Sequence, residues 1–323
     1  MIARMLGDLF KTVFRSRSTT AATAIVEPVD PIRERSAQHY EAAVRSLRKG
    51  KVQKAVAGCK AALAVEPNFS RAHFLLASIE LPGEDYHVVM ARIHAHCRPR
   101  TYVETGVSFG ESIRLIGQET RAIGIDPEPN VDFPLGPNVS IVAETSDDFF
   151  AHHDVRAELG GLPIDLAFID GMHQFEFALR DFMNIEALCA PASTILIHDV
   201  HPLDEQTATR ERVTDFWSGD IWRLALLLRK HRPDLSFHTI AAGPTGLAIV
   251  RNLDPDSCYI QTHLQQLIDE YMAVEFDALN GRKAESLAVV PNDWSRISAL
   301  LDEPPTPRKA TSQDPMAADR VLN

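Results

Sequence analysis

From about residue 98 to residue 251, short β-branched or apolar runs alternate with segments of helical periodicity. That alternation restricts the region to an α/β domain on a mainly parallel sheet. Strands are expected over residues 101–105, 122–126, 139–142, 166–170 and 194–198, with a final antiparallel pair near 235–240 and 247–251, giving seven strands. In such sheets ligands bind beyond the carboxyl ends of the strands, where the strand order reverses. Glu104, Asp126, Asp170, His198 and Asp199 all fall at expected strand ends, so the polar chemistry of the domain is concentrated there.

The first of these ends reads "YVETGVSFGESIRLIG", residues 102–117, an apolar run passing into a helix-like pattern. A dinucleotide site would place Gly at the first, third and sixth positions of the turn. Those positions hold Gly106, Ser108 and Glu111. A carboxylate at the helix start would compete with a phosphate for the positive end of the dipole. A nicotinamide dinucleotide is therefore disfavoured, and a cationic or zwitterionic ligand is favoured. Glu104 would accept from its ammonium group while Gly106 and Gly110 let the chain approach closely. The second strand ends in "AIGIDPEP", and Asp126 follows Glu104 at the separation where an acidic residue typically meets ribose hydroxyls.

Composition narrows the partners. With 33 Lys+Arg against 44 Asp+Glu the formal net charge is -11, which offers no general attraction for a nucleic-acid backbone. Cys59, Cys97, Cys189 and Cys258 form no CxxC pair, so neither a zinc cluster nor a disulfide framework is suggested, and a reducing cytoplasm fits.

The order "VETGVSFGES", "AIGIDPEP", "NVSIVAETSDDFF", "IDLAFIDGMHQFEFALRDFMNIEALCAPASTILIHDV" and "FWSGDIWRLALLLR" resembles the class I S-adenosylmethionine-dependent methyltransferases. It is most similar to the small-molecule O-methyltransferase branch, in which Asp-Gly-x-His follows the fourth strand and His-Asp ends the fifth. The resemblance spans about residues 98–252 and implies a Rossmann-like fold and S-adenosyl-L-methionine as cofactor. It implies that Glu104, Gly106 and Gly110 face the methionine part, Asp126 the ribose, and Ser146 and Asp147 the adenine, with Asp170 beside the reacting centre. Ala192 and Ser193 stand where the family usually has a Gly pair.

The implied reaction is in-line transfer of a methyl group from a sulfonium to an oxygen or other nucleophile. The protein then supplies proximity, alignment and removal of a proton. His173 is the candidate general base, an imidazole titrating near neutrality, against a helix-start histidine bonded only to backbone. Asp170, His198 and Asp199 could also hold Mg²⁺ or Mn²⁺, which would orient a diol-like acceptor. Alternation along a strand argues against His198 and Asp199 pointing to one site unless the strand ends between them. The polar stretch from residue 201 is expected to be a mobile loop over the cleft. In it, Trp217 and Asp220 are open to either acceptor recognition or packing, and Trp222 reads as a core anchor.

Outside this domain, Ile2, Met5, Leu6, Leu9, Phe10, Val13 and Phe14 recur at helical spacing opposite Arg4, Lys11 and Arg15. This basic amphipathic helix reads as a packing element, a weak membrane-surface anchor or a transit-like segment. "SAQHYEAAVRSLRKGKVQKAVAGCKAALAVEPNF", residues 36–69, resembles one tetratricopeptide repeat through Tyr40, Leu47, Gly50, Ala55, Ala62 and Pro67. The expected organisation is a helix and linker over 1–31, repeat-like helices over 32–97, the methyltransferase-like domain over 98–255, helices over 256–302 and a disordered tail over 303–323. Two functions stand at this point. One is a methyltransferase acting on a small hydroxylated acceptor such as a sugar or glycan precursor, as a monomer or homo-oligomer. The other is a non-catalytic scaffold that carries the same domain.

Overall fold

The computed structural model describes residues 30–306. The amphipathic helix expected over residues 1–15, the linker up to residue 29 and the tail from residue 307 lie outside the described residues. Among the described residues no helix is long and apolar enough to cross a membrane.

The described residues divide into two compact units, one of residues 30–83 with 214–216, the other of residues 84–213 and 217–306. The first unit holds helices α1 (Pro31–Arg48), α2 (Val52–Val65) and α3 (Ser70–Glu80). Asp30 caps α1 by accepting from the Ile32 N–H, and Pro31 occupies the first turn, where its missing donor costs nothing. Buried Ser36, Tyr40, Ala43, Val44 and Leu47 form one helical stripe on α1. Gly58 meets this stripe: a Cβ there would lie 2.9 Å from that of Ala43, so the absent side chain lets α1 and α2 cross closely. Gly50, at φ +70°, makes the turn between them.

The second unit is built on strands β1 (Thr101–Thr105), β2 (Arg121–Ile125), β3 (Val139–Val142), β4 (Ile164–Ile169), β5 (Cys189–His198), β6 (Ser236–Ile240), β7 (Leu247–Arg251) and β8 (Val289–Val290). Their order is β3-β2-β1-β4-β5-β7-β6-β8. The first five run parallel, and β7 is antiparallel to both β5 and β6. The seven-stranded expectation is thus corrected to eight: Val289 and Val290 add a short parallel edge beside Thr239 and Ile240. Two residues are too few for a periodic signal, so only the backbone pairing reveals this strand.

The sheet is buried on both faces, as a parallel sheet requires. Tyr102, Leu166, Phe168 and Leu196 pack on one side with Val89, Met90 and Ile93 of α4 (Tyr86–Cys97). Val103, Ala167, Ile169, Ile195 and Ile197 point to the other. There they meet helices that include α5 (Ser146–His152), α6 (Val155–Glu158), α7 (Phe175–Glu186), α8 (Trp222–His231) and α9 (Tyr259–Met272). Each fully buried Leu or Ile contributes about 1.5–3 kcal/mol relative to exposure. Helix α4, read from sequence with the preceding helices, groups with the sheet because its apolar face is part of this core. Helices α10 (Lys283–Ser286) and α11 (Trp294–Asp302) complete the unit, with Asp293 capping α11 through the Arg296 N–H.

At the start of β5, Ala192 and Ser193 do the work of the missing Gly pair. The Ser193 hydroxyl donates to the Ile164 carbonyl (2.5 Å) and accepts from the Ala190 N–H (2.9 Å), tightening the turn through a side chain.

After β1 the chain runs outward to β2 and β3, then returns to place β4 on the other side of β1. The strand order therefore reverses between β1 and β4, and a crevice opens beyond their carboxyl ends.

Candidate active site

Gly106 sits in that crevice at φ +88°, its N–H donating to Ile125 across the sheet (2.8 Å). A Cβ at this position would lie 2.0 Å from the carbonyl oxygen of Asp170. Only glycine allows the β1 and β4 ends to approach so closely. The helix expected after this turn is reduced to a single 3-10 turn, Ile113–Leu115. Among the described residues no long helix N-terminus therefore follows Gly106 to receive a pyrophosphate, which adds a structural reason against the dinucleotide reading.

Above the crevice lies a cavity of about 590 Å³, within the range of small-molecule sites. Gly106, Asp126, Ser146, Asp147, Asp170 and His173 line it. Asp126 accepts from the Ser108 N–H (2.8 Å) and the Glu128 N–H (2.7 Å), which orients the carboxylate at the end of β2. Asp147 is gripped at both oxygens by Arg180 of α7 (2.8 and 2.7 Å).

Two expected cofactor residues lie elsewhere. Glu104 is fully buried beneath the floor, where it accepts from the Tyr102 hydroxyl (2.7 Å) and the Ser112 hydroxyl (3.1 Å). Burial pushes its carboxyl up to about 8, against the lowering effect of those two donors. It is sealed from ligand, so its expected role toward an ammonium group is corrected to a structural one. Gly110, at φ +75°, does not line the cavity; it makes room for Val131 and Phe133, which a Cβ would meet at 2.9–3.0 Å.

Asp170 and His173, which line the cavity, form one ionic cluster with His198 and Asp199 beside it. His198 Nδ1 lies 3.1 Å from Asp170 Oδ1 and 3.5 Å from Asp199 Oδ2. His173 Nδ1 lies 2.8 Å from Asp199 Oδ2, and its Nε2 lies 3.5 Å from Asp170 Oδ1. β5 ends at His198, and Asp199 turns at φ +60°, which brings both side chains to one site despite strand alternation. Burial alone would push both imidazoles down, but the charges of Asp199 and Asp170 prevail. His198 is raised to about 10 and His173 well above its ordinary value, correcting the expectation of a near-neutral imidazole. Asp170 and Asp199 are disfavoured as anions by burial, yet the two histidines hold both below the usual carboxylate range.

Asp170, His173 and Asp199 each offer a ligand atom, all within 4.8 Å of one another. His173 Nδ1 and Asp199 Oδ2 are buried and lack an aligned hydrogen bond. Two carboxylate oxygens and an imidazole converging in this way fit a divalent cation. His198, expected as the third ligand, instead pairs with Asp170 and places Nε2 3.2 Å from the Thr245 hydroxyl.

His173 itself is held at φ +56°, stacked on Trp217 with ring centroids 5.2 Å apart. The Trp217 indole donates to the Thr209 carbonyl (2.6 Å). Gly219 presses on the His173 carbonyl, which a Cβ would meet at 1.8 Å, and the Asp220 N–H donates to it (3.2 Å). Asp220 is buried and accepts from the Phe175 N–H (2.7 Å), so its role is to brace this turn. Trp222 is buried in the core as expected. The loop expected to be mobile is tied down in part: Thr207 and Ser218 are fully buried, and Arg210 pairs with Glu176 and Gln174.

Sequence reasoning missed Tyr86, His87, Thr105 and Asp181, which also line the cavity. Tyr86 stacks on His198 with centroids 3.9 Å apart. These residues come from α4, the last residue of β1 and the second turn of α7, and no spacing in the chain links them to the motifs.

Residues 103–200 match the model of a family described as a methyltransferase domain. A comparison with curated proteins finds no match. Among solved structures, an O-methyltransferase from Bacillus cereus in complex with SAH is 15% identical, covering 77% of this chain and 99% of its own at a TM-score of 0.40. The O-methyltransferase TomG from Streptomyces achromogenes, in complex with SAM, is 15% identical, covering 76% and 95% at a TM-score of 0.39. A putative O-methyltransferase from Klebsiella pneumoniae is 12% identical, covering 70% and 91% at a TM-score of 0.39.

Proposed function

We propose that this chain, whose residues 103–200 are similar to methyltransferase domains, is an S-adenosylmethionine-dependent O-methyltransferase acting on a small hydroxylated acceptor such as a sugar or glycan precursor. The observation that carries the reading is the cavity itself, which runs from Asp126 at the end of β2 to Asp170 and His173 beyond β4. One end has an oriented carboxylate for ribose hydroxyls, and the other has groups that move a proton.

S-adenosylmethionine, when bound, supplies a methyl group activated by its sulfonium. The protein's share is alignment and proton removal. Asp126, fixed by two backbone donors, would accept from the ribose, and Ser146 and Asp147 would bound the adenine. Within the ionic cluster His173 is the most accessible member, its side chain 27% exposed against 17% for Asp170 and 4% for Asp199. At neutral pH the two carboxylates keep His173 protonated, so it accepts the acceptor's proton only after losing its own. Trp217 and the Gly219–Asp220 backbone keep its ring in place. Asp170 and Asp199 would hold Mg²⁺ or Mn²⁺, with His173 joining them only in its deprotonated form. Such an ion lowers the pKa of a bound hydroxyl.

Calorimetric titration with S-adenosylmethionine and, separately, NAD tests the reading, with wild type and Asp126→Ala and with Mg²⁺ present or absent. Micromolar binding of S-adenosylmethionine alone, lost in the variant, is expected. Its absence under every condition would leave the scaffold reading in first place.

A further inference from the structure

The cavity is lined by the carboxyl groups of Glu111, Asp126, Asp147, Asp170 and Asp181, and among the described residues no lysine or arginine lines it. Most of these groups are already committed. Arg180 holds Asp147, His173 and His198 face Asp170, and Asp126 accepts two backbone donors. Asp181 is buried beside the Ser146 and Thr105 hydroxyls. Glu111 differs: its side chain is 74% exposed, and its ion-pair partner is His87, whose Nε2 stands 3.5 Å from Oε2.

Glu111 ends a continuous wall that begins at the ionic cluster. His198, 3.1 Å from Asp170, is stacked by Tyr86 of the first turn of α4, with ring centroids 3.9 Å apart. His87 packs on Tyr86 at the same spacing, is held at Nδ1 by Asp85 (3.0 Å) and reaches Glu111 through Nε2. Tyr86, His87 and Glu111 all line the cavity, and none is among the groups assigned above to ribose or adenine. A ligand lying along this wall from the reacting groups meets aromatic rings and then a solvated carboxylate. Both attract a cation, and the carboxylate repels an anion. A concave site focuses that field. S-adenosylmethionine brings a single net positive charge, at its sulfonium, and cannot balance both Asp126 and Glu111.

Resting on the proposed methyl transfer, we infer that Tyr86, His87 and Glu111 form the acceptor subsite and that the acceptor is a cation, a hydroxylated molecule bearing an amino group, such as an amino sugar, whose ammonium faces Glu111. A sugar activated as a phosphate or nucleotide diphosphate is the wrong charge for this cavity. It would bring anions to a lining where, among the described residues, no lysine or arginine receives them.

The test uses the full chain saturated with S-adenosylhomocysteine at fixed Mg²⁺, and hydroxylated probes matched except for charge. These are 6-amino-6-deoxyglucose, glucose and glucuronate, and dopamine with 3,4-dihydroxyphenylacetate. Ligand-observed NMR gives their affinities. Wild type is expected to bind the amine of each set about tenfold more tightly than the carboxylate, with glucose between its two relatives. Glu111→Gln should cut that ratio about two- to fivefold, the scale of an exposed ion pair. Glu111→Lys should bring it to one or below, and at so exposed a position neither change threatens folding. Tighter binding of the carboxylates by wild type would overturn the inference, as would a ratio that survives both substitutions or the failure of every probe to bind. A loss of S-adenosylhomocysteine affinity in Glu111→Gln with the ratio intact would assign Glu111 to the cofactor and sink the inference as well. Failure of S-adenosylhomocysteine to bind wild type would instead count against the proposed cofactor.

Discussion

His173 Nδ1 and Asp199 Oδ2 stand 2.8 Å apart, both buried, without the alignment of a hydrogen bond. With Asp170 they make a set of donor atoms converging on one point. Titration with Mn²⁺, followed by calorimetry, should therefore find one ion per chain in wild type. Asp199→Ala should weaken that binding by at least about 100-fold, more than the loss of a mere supporting group. Equal binding by the variant would remove the ion from this cluster.

Substitution of His173 separates chemistry from binding. His173→Gln keeps the size of the side chain near Trp217 but cannot take a proton, so kcat/KM for the acceptor should fall about 10²–10⁴-fold. Affinity for S-adenosylmethionine should change little, because His173 pairs with Asp170 and Asp199 and not with Asp126, Ser146 or Asp147, the groups assigned to the cofactor. A loss confined to cofactor affinity would reassign His173 to ligand binding.

The buried Glu104 carboxyl makes a prediction about stability. Its pKa is raised to about 8, well above the ordinary carboxylate range, chiefly by burial. The folded state therefore binds a proton that the unfolded chain has already released over this interval. Stability should fall as pH rises from about 4.5 to about 8, by a few kcal/mol in order of magnitude. Glu104→Gln, which resembles the protonated acid, should flatten that dependence in denaturant unfolding measured across the range. An equal slope in wild type and variant would mean that Glu104 is ionised in the fold.

Gly106→Ala tests the closeness of the β1 and β4 ends. The alanine Cβ would be driven into the Asp170 carbonyl from a backbone at φ +88°. A left-handed conformation alone costs a non-glycine residue about 1–2 kcal/mol. Displacement of Asp170 adds to it, so both thermal stability and S-adenosylmethionine binding should drop. Wild-type values for both would mean that the two loops part without penalty.

The boundaries of β1, β3 and β7 were legible in the sequence because β-branched and apolar runs carry their own periodicity, those of β2, β4 and β6 lie one or two residues from the expected ones, and β5 starts earlier, at Cys189. The short β8 escaped because two residues have no period. Within the site, Asp126, Asp170 and Asp199 could be named from their positions at strand ends, since topology delivers such residues to one edge of the sheet, whereas Gly106 came from the turn motif and His173 from the reaction that the family resemblance implies.

What the linear order could not convey is direction and company. Glu104 sits on a strand end but its side chain turns beneath the floor to Tyr102 and Ser112, because alternation along β1 decides which way it points. The raised pKa of His173 depends on Asp170 and Asp199, which belong to two different strand ends. Asp181 and Tyr86 reach the cavity from helices packed on the sheet. The α/β alternation, the strand-end carboxylates and the glycine turn are local in the chain and can be read from it directly. Tertiary structure alone decided which of those groups face a ligand and which proton each one holds, because burial and charge pairing act through space.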